Sequence, residues 1–165
     1  MPWTDAQLAA AFNALSPVPS TLDAAAKLLN AQTATVTVDV PLDAVEGYLL
    51  VNGISVAAAD WLAANAATNV PVANAIRSLQ ALIASPRLQS VAMTDAATNM
   101  AVTNMTGAMV SVGVMTAAQQ AALLAMAKAS VPAWQPALQI ADLQRIQRAG
   151  AISATIEPYP GYVAP

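Results

Sequence analysis

The sequence predicts a mainly α-helical protein with a small β component. Alanine-rich segments with apolar residues at helical spacing alternate with proline, glycine and capping residues, which gives about seven or eight short helices. Residues 33–40 and 151–156 instead alternate with the period of a strand. Three prolines and one glycine after residue 156 exclude a helix there. We therefore expect a bundle of short helices, one two-stranded β element and an extended C-terminal tail.

The helix limits follow from capping residues and helix breakers. Thr4 with Gln7, and Thr116 with Gln119, have the capping-box spacing that begins a helix. Gly53 has the position just beyond a helix end, where a left-handed backbone is common. The predicted helices are approximately residues 5–15, 22–30, 42–52, 56–67, 71–84, 95–112, 116–129 and 141–148.

The first strand needs a partner. Threonine alternates with valine or alanine over residues 33–38, which gives one apolar face and one hydroxyl face. A lone strand leaves its backbone hydrogen-bonding groups unsatisfied. Residues 151–156 are the partner that the alternation suggests, and a strand of a neighbouring chain is the alternative. We expect a helical domain over residues 1–150 and a strand or arm over residues 151–165.

Composition argues against several classes of function. The chain contains no cysteine and no histidine, which removes thiol nucleophiles, imidazole acid–base catalysis and the usual zinc ligands. Charged residues make up 9% of the chain, against about 25% in ordinary globular domains. The net charge is −3 and the six basic residues are scattered, so we expect no nucleic-acid binding. We predict no enzymatic activity, no metal and no cofactor.

One acidic cluster has two interpretations. Asp39 and Asp43 flank Pro41, and Glu46 follows three residues later. Such carboxylates could bind a cation or transfer protons. The interpretation that we favour is that Asp43 and Glu46 stabilise the start of a helix through its dipole.

A membrane span is not expected. Residues 96–127 carry no charge, but asparagine and glutamine interrupt them, and Gly113 ends a helix within them. A spanning helix needs about 20 mainly apolar residues. The N-terminus has no basic segment followed by an apolar run, so we expect no signal peptide.

Several large side chains are candidates for contact with a partner protein. Six of the methionines fall between residues 93 and 126, and Met105 and Met109 share a helix face. They pack in a core or form an adaptable contact surface. Trp134 is a core or interface anchor. Tyr159 and Tyr162 lie in the tail, which is either a loose end or an arm that contacts a partner.

The second half of the chain resembles a known family. Its features are Thr94-Asp95 before a helix, Val112 to Ala127 with the sequence VGVMTAAQQAALLAMA, the turn at Trp134, and IADL at residues 140–143. LNAQT at residues 29–33, followed by the valine–threonine strand, adds to it. These segments resemble a family of small helical proteins encoded among the virion-structure genes of tailed bacteriophages. The tail after Ile152 departs from that pattern.

The resemblance implies a virion component without catalytic residues. We therefore expect a non-enzymatic structural protein, present in multiple copies on the tail, neck or baseplate of a tailed phage. Its partners would be other virion proteins or copies of itself, and it would be made in the host cytoplasm. The alternatives are a capsid decoration protein and an assembly chaperone or adaptor that is absent from the virion.

Overall fold

The computed structural model describes residues 3–152 and residue 156. This part of the chain contains eight helices and two small antiparallel sheets of two strands each, so the predicted mainly α-helical class is confirmed. The helices are α1 Asp5–Asn13, α2 Leu22–Asn30, α3 Leu42–Val51, α4 Ile54–Asn65, α5 Val70–Ile83, α6 Ala96–Ser111, α7 Ala117–Ala125 and α8 Ile140–Arg148. The strands are β1 Thr33–Thr37, β2 Val40–Pro41, β3 Ser90–Val91 and β4 Lys128–Pro132.

Side-chain caps fix where most of the helices begin. The capping boxes predicted at Thr4 and Thr116 both form, with each threonine accepting from the backbone N–H three residues ahead. Asp95 caps α6 in the same way, through the N–H of Thr98 at 2.7 Å. These bonds satisfy N–H groups that lack partners inside the helix. Capping is therefore the reason that these three starts could be predicted from sequence.

The chain folds into two compact units. Unit 1 lies within Met1–Thr35 and Ser130–Pro165, and unit 2 is Val36–Ala129. The packing thus divides the described residues near 35 and 129 rather than at residue 150. The predicted boundary at 150 separates a tail whose structure is mostly outside the described residues, and it stays a prediction.

Unit 1 packs α1, α2 and α8 around one apolar core. The side chains of Leu8, Phe12, Leu22, Leu29, Leu143 and Ile146 are almost completely buried in it. Helix α8 supplies Leu143 and Ile146 from one face and presents charged residues on the other. One of these, Arg145, forms ion pairs with Asp5 at 2.9 Å and with Asp142 at 3.4 Å. The segment before α8 completes the core with Trp134 and Leu138.

Unit 2 packs α3 to α7 around a second core. Ile76 and Leu79 on α5 and Val102 and Met109 on α6 are buried there. The buried hydroxyl of Thr106 on α6 donates to the carbonyl of Val102 at 2.9 Å. Polar bonds then join α7 to α6, because Gln120 Nε2 donates to Thr106 Oγ1 at 3.0 Å and to the carbonyl of Thr103 at 3.2 Å. Helix packing and these bonds together orient a helix that buries few large side chains.

The described partner of the first strand is not the segment that the alternation suggests. Strand β1 pairs with β4. Ala151 and Ile152 form no strand, and residues 153–155 lie outside the described residues. A second sheet, not predicted from sequence, pairs Val40 of β2 with Val91 of β3 and buries both side chains in unit 2.

The end of the seventh helix was predicted wrongly. Helix α7 ends at Ala125 and not near residue 129, because the backbone forms a tighter turn after Ala125 and then enters β4. The N–H groups of Met126 and Ala127 donate to carbonyls three residues back, at 3.2 Å each. Val131 cannot continue a helix easily, since it is β-branched and precedes Pro132. The alanine-rich composition up to Ala129 concealed this change.

Asn30 generates a prediction for unit 1. Its side chain donates to the carbonyl of Leu138 at 2.9 Å and accepts from the N–H of Leu138 at 2.8 Å. In Asn30→Ala the backbone N–H and carbonyl of the buried Leu138 lose their partner, so we expect the free energy of unfolding to fall by about 1–3 kcal/mol. Urea denaturation followed by circular dichroism measures it. In the same unit, replacement of the exposed Asn13 by alanine should change it by less than about 0.5 kcal/mol, and equal losses would contradict the assignment.

Asp39 generates a prediction on acid stability. Its carboxylate accepts from the hydroxyl of Thr94 at 2.6 Å and from the Thr94 N–H at 3.0 Å, and these bonds lower the pKa of Asp39 below its ordinary 3.8. Because the folded pKa is the lower one, the stabilising contribution is present above pH 3.8 and is lost as the pH falls below that value. Asp39→Asn should therefore flatten the stability curve below pH 3.8.

The control for that measurement is Thr94→Ala, which removes the hydroxyl donor and keeps the backbone donor. It should flatten the same part of the curve to a smaller extent. Unfolding midpoints in urea between about pH 5 and pH 2 cover the range over which a carboxylate of lowered pKa titrates. Unchanged pH dependence in both variants would show that the Asp39–Thr94 contact is not formed in solution.

Candidate protein-binding groove

An open apolar groove lies on unit 2. Its volume is about 560 Å³, within the range of pockets that bind ligands or anchoring side chains. Four helices and the turn after α5 line it. The apolar lining residues are Leu49, Leu50, Ile54, Ala58, Ile76, Leu79, Ile83, Ala84, Pro86 and Met109. The polar ones are Glu46, Ser55, Gln80 and Ser85.

The corner between α3 and α4 shapes one side of the groove. Gly53 joins the two helices with φ +68°, a left-handed conformation that favours glycine. The helix axes turn by 74° there. The turn lets Leu49 and Leu50 at the end of α3, and Ile54 and Ala58 at the start of α4, line the same groove. Tyr48 fixes the position of α3, since its hydroxyl donates to the carbonyl of Gln119 at 2.9 Å.

The end of α3 exposes large apolar side chains. Leu50 is 58% exposed and Val51 is 88% exposed, and we call this pair the apolar wall. Leu50 also lines the groove, whereas Val51 is not among its lining residues. The surroundings hold little charge, because residues 47–59 include no charged side chain. Exposed large apolar side chains beside an apolar groove are typical of a contact site.

The chemistry of the groove is that of binding through apolar contact. Among the described residues that line it, Glu46 alone carries a charge. The hydroxyl groups of Ser55 and Ser85 and the amide of Gln80 are available to orient a bound segment. Apolar pockets with a few polar groups bind by burial and use the polar groups for specificity.

The structure places the predicted contact residues differently. Met109 is only 2% exposed and forms part of the groove floor, and Met105 is half-buried against the core of unit 2. Trp134 is 9% exposed in the core of unit 1, where it packs edge-to-face on Trp3 with ring centres 4.9 Å apart. All three side chains are thus packed largely within the two cores, and their contact with a partner stays a prediction. Tyr159 and Tyr162 lie outside the described residues.

The acidic cluster does not form one site. Asp39 is bonded to Thr94, Asp43 accepts from the N–H of Ala44 at 2.8 Å near the start of α3, and Glu46 lines the groove. Within residues 3–152 no group of three or more acidic side chains is placed to hold a metal ion. Asp43 lies in the first turn of α3, where its carboxylate suits the helix dipole as the sequence predicts.

The apolar wall was missed at the level of sequence. Its signal is present, since Leu49, Leu50 and Val51 are three consecutive large apolar residues at the end of a helix. Consecutive helical residues point about 100° apart, so all three cannot face one core. The absence of charge over residues 47–59 is a second signal. It is less conspicuous in the sequence than the longer uncharged stretch over residues 96–127.

No single helix in the described part of the chain is long and apolar enough to cross a membrane. The pair α3 and α4 passes the criteria of length and composition together, with the 74° bend between them.

Comparison of the sequence with known protein families and with curated proteins, and of the fold with solved structures, gives no match.

Two glycines of α3 and its corner provide a matched test of the geometry. A Cβ added to Gly47 or to Gly53 meets no atom within 4 Å, but only Gly53 has a positive φ. Gly47→Ala should raise the free energy of unfolding by about 0.5–1 kcal/mol, because alanine is the better helix former. Gly53→Ala should lower it by about 1–2 kcal/mol through backbone strain. Thermal unfolding of both variants measures the difference, and two stabilising substitutions would contradict the left-handed corner.

Proposed function

We propose that this chain is a non-enzymatic structural protein of a tailed-phage particle, which assembles in multiple copies on the tail, neck or baseplate through protein–protein contacts. The observation that carries the contact function is the groove of unit 2 with its apolar wall. Leu50 and Val51 lie largely in water although large aliphatic side chains gain about 1.5–3 kcal/mol from full burial. A protein partner that covers them provides that burial.

The composition supports a role in binding rather than catalysis. A chain without histidine or cysteine lacks the side chains that most often act as general base or as a strong nucleophile near neutral pH. The serines that line the groove, Ser55 and Ser85, have no imidazole to activate them. The low charge of the chain agrees with surfaces that other proteins cover, because the buried centre of an interface is depleted in charged residues.

The assignment to a phage particle is supported by the resemblance of residues 29–40 and 93–150 to the small helical virion proteins. A capsid decoration protein and an assembly chaperone would use the same kind of groove. The location of the chain during assembly separates these alternatives.

Mass spectrometry of purified particles tests the proposal. In particles of the phage whose genome encodes the chain, purified on a density gradient, we expect its peptides together with those of the tail proteins. Phage replication enzymes, which are present in the lysate, are the control for purity and should be absent. Presence in the lysate with absence from intact particles would identify a chaperone or adaptor instead. Immunogold labelling then separates a tail or neck location from decoration of the capsid.

A further inference from the structure

We propose that the open edge of β1, formed by the backbone groups of Thr33, Thr35 and Thr37, binds an extended strand of a partner protein, and that this strand carries a carboxylate beside Lys128. The inference goes beyond the proposed function, because it concerns a surface other than the groove and gives the chemistry of the segment that binds there. It rests on the direction in which the backbone groups of β1 point and on the ammonium group beside them.

The register of the sheet of β1 and β4 follows from the bonds at its two ends. The N–H of Ala133 donates to the carbonyl of Gln32 at 2.9 Å, and the N–H of Val38 donates to the carbonyl of Ala127 at 2.8 Å. In an antiparallel pair such bonds join directly opposed residues, and every second residue makes them. The even-numbered residues of β1 therefore point their backbone groups towards β4, and the odd-numbered residues point theirs away from it.

The open edge is suited to an extended peptide. Each of its three threonines presents one N–H donor and one carbonyl acceptor, and no third strand joins this sheet in the described part of the chain. Thr33 and Thr35 are also exposed to solvent. Donors and acceptors that recur at every second residue match the backbone of an extended strand, which is the ligand that can pair with all of them.

The opposite edge of the sheet is protected. There the outward backbone groups belong to Lys128, Ser130 and Pro132 of β4. A proline has no N–H to donate, and a charged side chain on an edge discourages pairing with another chain. Strand β1 contains neither proline nor a charged residue. The sheet therefore has one edge that accepts a further strand, and that edge belongs to β1.

Lys128 determines the charge that suits the added strand. It lies opposite Thr37 in this register, and its ammonium reaches across to Thr37 Oγ1 at 3.1 Å, towards the open edge. The ion pairs of the described residues do not include Lys128. A glutamate opposite Thr37 in the added strand would lie on the same face and meet this ammonium. A second copy of β1 suits the edge less well, because antiparallel pairing centred on Thr35 puts Thr33 there and no carboxylate.

Binding of a synthetic strand tests the proposal. The probe is a fluorescent peptide with blocked ends, in which one glutamate precedes alternating valine and threonine. We expect it to bind the purified full-length chain with a dissociation constant of about 0.1–1 mM, since a short peptide loses much conformational freedom for a few main-chain bonds. Fluorescence anisotropy measures this binding.

Two proline variants show which edge the probe uses. Thr35→Pro should weaken binding by about ten-fold or more, because it removes the central outward N–H and puts a ring in its place. Ser130→Pro is the matched control, since it removes the outward N–H of the residue opposite Thr35 from the other edge. It should change binding by less than about two-fold. Circular dichroism confirms that both variants fold.

The charge of the probe tests the role of Lys128. Glutamine in place of the glutamate should weaken binding by about two- to five-fold, as for an exposed ion pair. In Lys128→Gln the two probes should bind equally. High salt should reduce the difference between the probes on the native chain, because it screens exposed charges.

Amide hydrogen exchange, followed by nuclear magnetic resonance, locates the bound strand. In the free chain the N–H groups of Ala34 and Val36 should exchange slowly, because they bond to β4, and those of Thr33, Thr35 and Thr37 should exchange fast. The probe should slow exchange at the three threonines.

Four results would overturn the proposal. These are no binding at millimolar probe, equal weakening by Thr35→Pro and Ser130→Pro, equal binding of the two probes to the native chain, and threonine N–H groups that exchange slowly in the free chain. Slow exchange that depends on protein concentration would assign the edge to a second copy. All these results concern the purified chain, so particle mass spectrometry still decides separately whether the protein belongs to the particle.

Discussion

Unit 2 depends on the packing of α5 against α6. Ile76, Leu79 and Met109 are buried in this contact, and the same three side chains line the groove. The floor of the groove is therefore part of the core, and truncating a buried isoleucine or methionine to alanine costs about 2–5 kcal/mol. Binding properties can vary at the wall and rim, whereas the floor is constrained by folding. Exposed Val51 and Gln80 are for this reason the positions at which function can be separated from stability.

Alanine-rich helices bring little apolar area to a core, and both units show how the chain compensates. In α7 the large buried side chain is Leu123, and in α4 the buried residues are Ile54 and Ala58. Such helices pack closely but gain little from burial. Side-chain hydrogen bonds to the backbone therefore contribute to their orientation, as Gln120 does between α7 and α6 and as Asn30 does for Leu138. Each bond contributes about 1 kcal/mol, which matters where few large side chains are buried.

Local chemistry made the helices predictable, and distant contacts made the rest unpredictable. A threonine cap with glutamine three residues later acts within one turn, so Thr4 and Thr116 marked helix starts that the structure confirms. The partner of β1 could not be read in the same way. Residues 128–132 show weak alternation and follow an alanine-rich helix, and only the returning chain determines that they pair with β1. The groove likewise combines α3, α4, α5 and α6, so no local pattern marks it. Met109 shows this limit of sequence analysis. Helical spacing predicts which face of the helix Met109 lies on, but not whether other helices cover that face.

The size of the apolar wall sets how strong an assembly it can support. Full burial of a valine or leucine gains about 1.5–3 kcal/mol, and Leu50 and Val51 are already partly covered, so each copy gains roughly 3 kcal/mol. A partner that covers this pair gains roughly 3 kcal/mol against an association cost of about 4–15 kcal/mol. The wall alone therefore does not hold two free molecules together. When neighbouring copies are held together by further contacts, their effective concentration reaches the millimolar range, and the same wall then suffices. Such a surface suits a protein that occupies its place as one of many in a particle and remains separate before assembly.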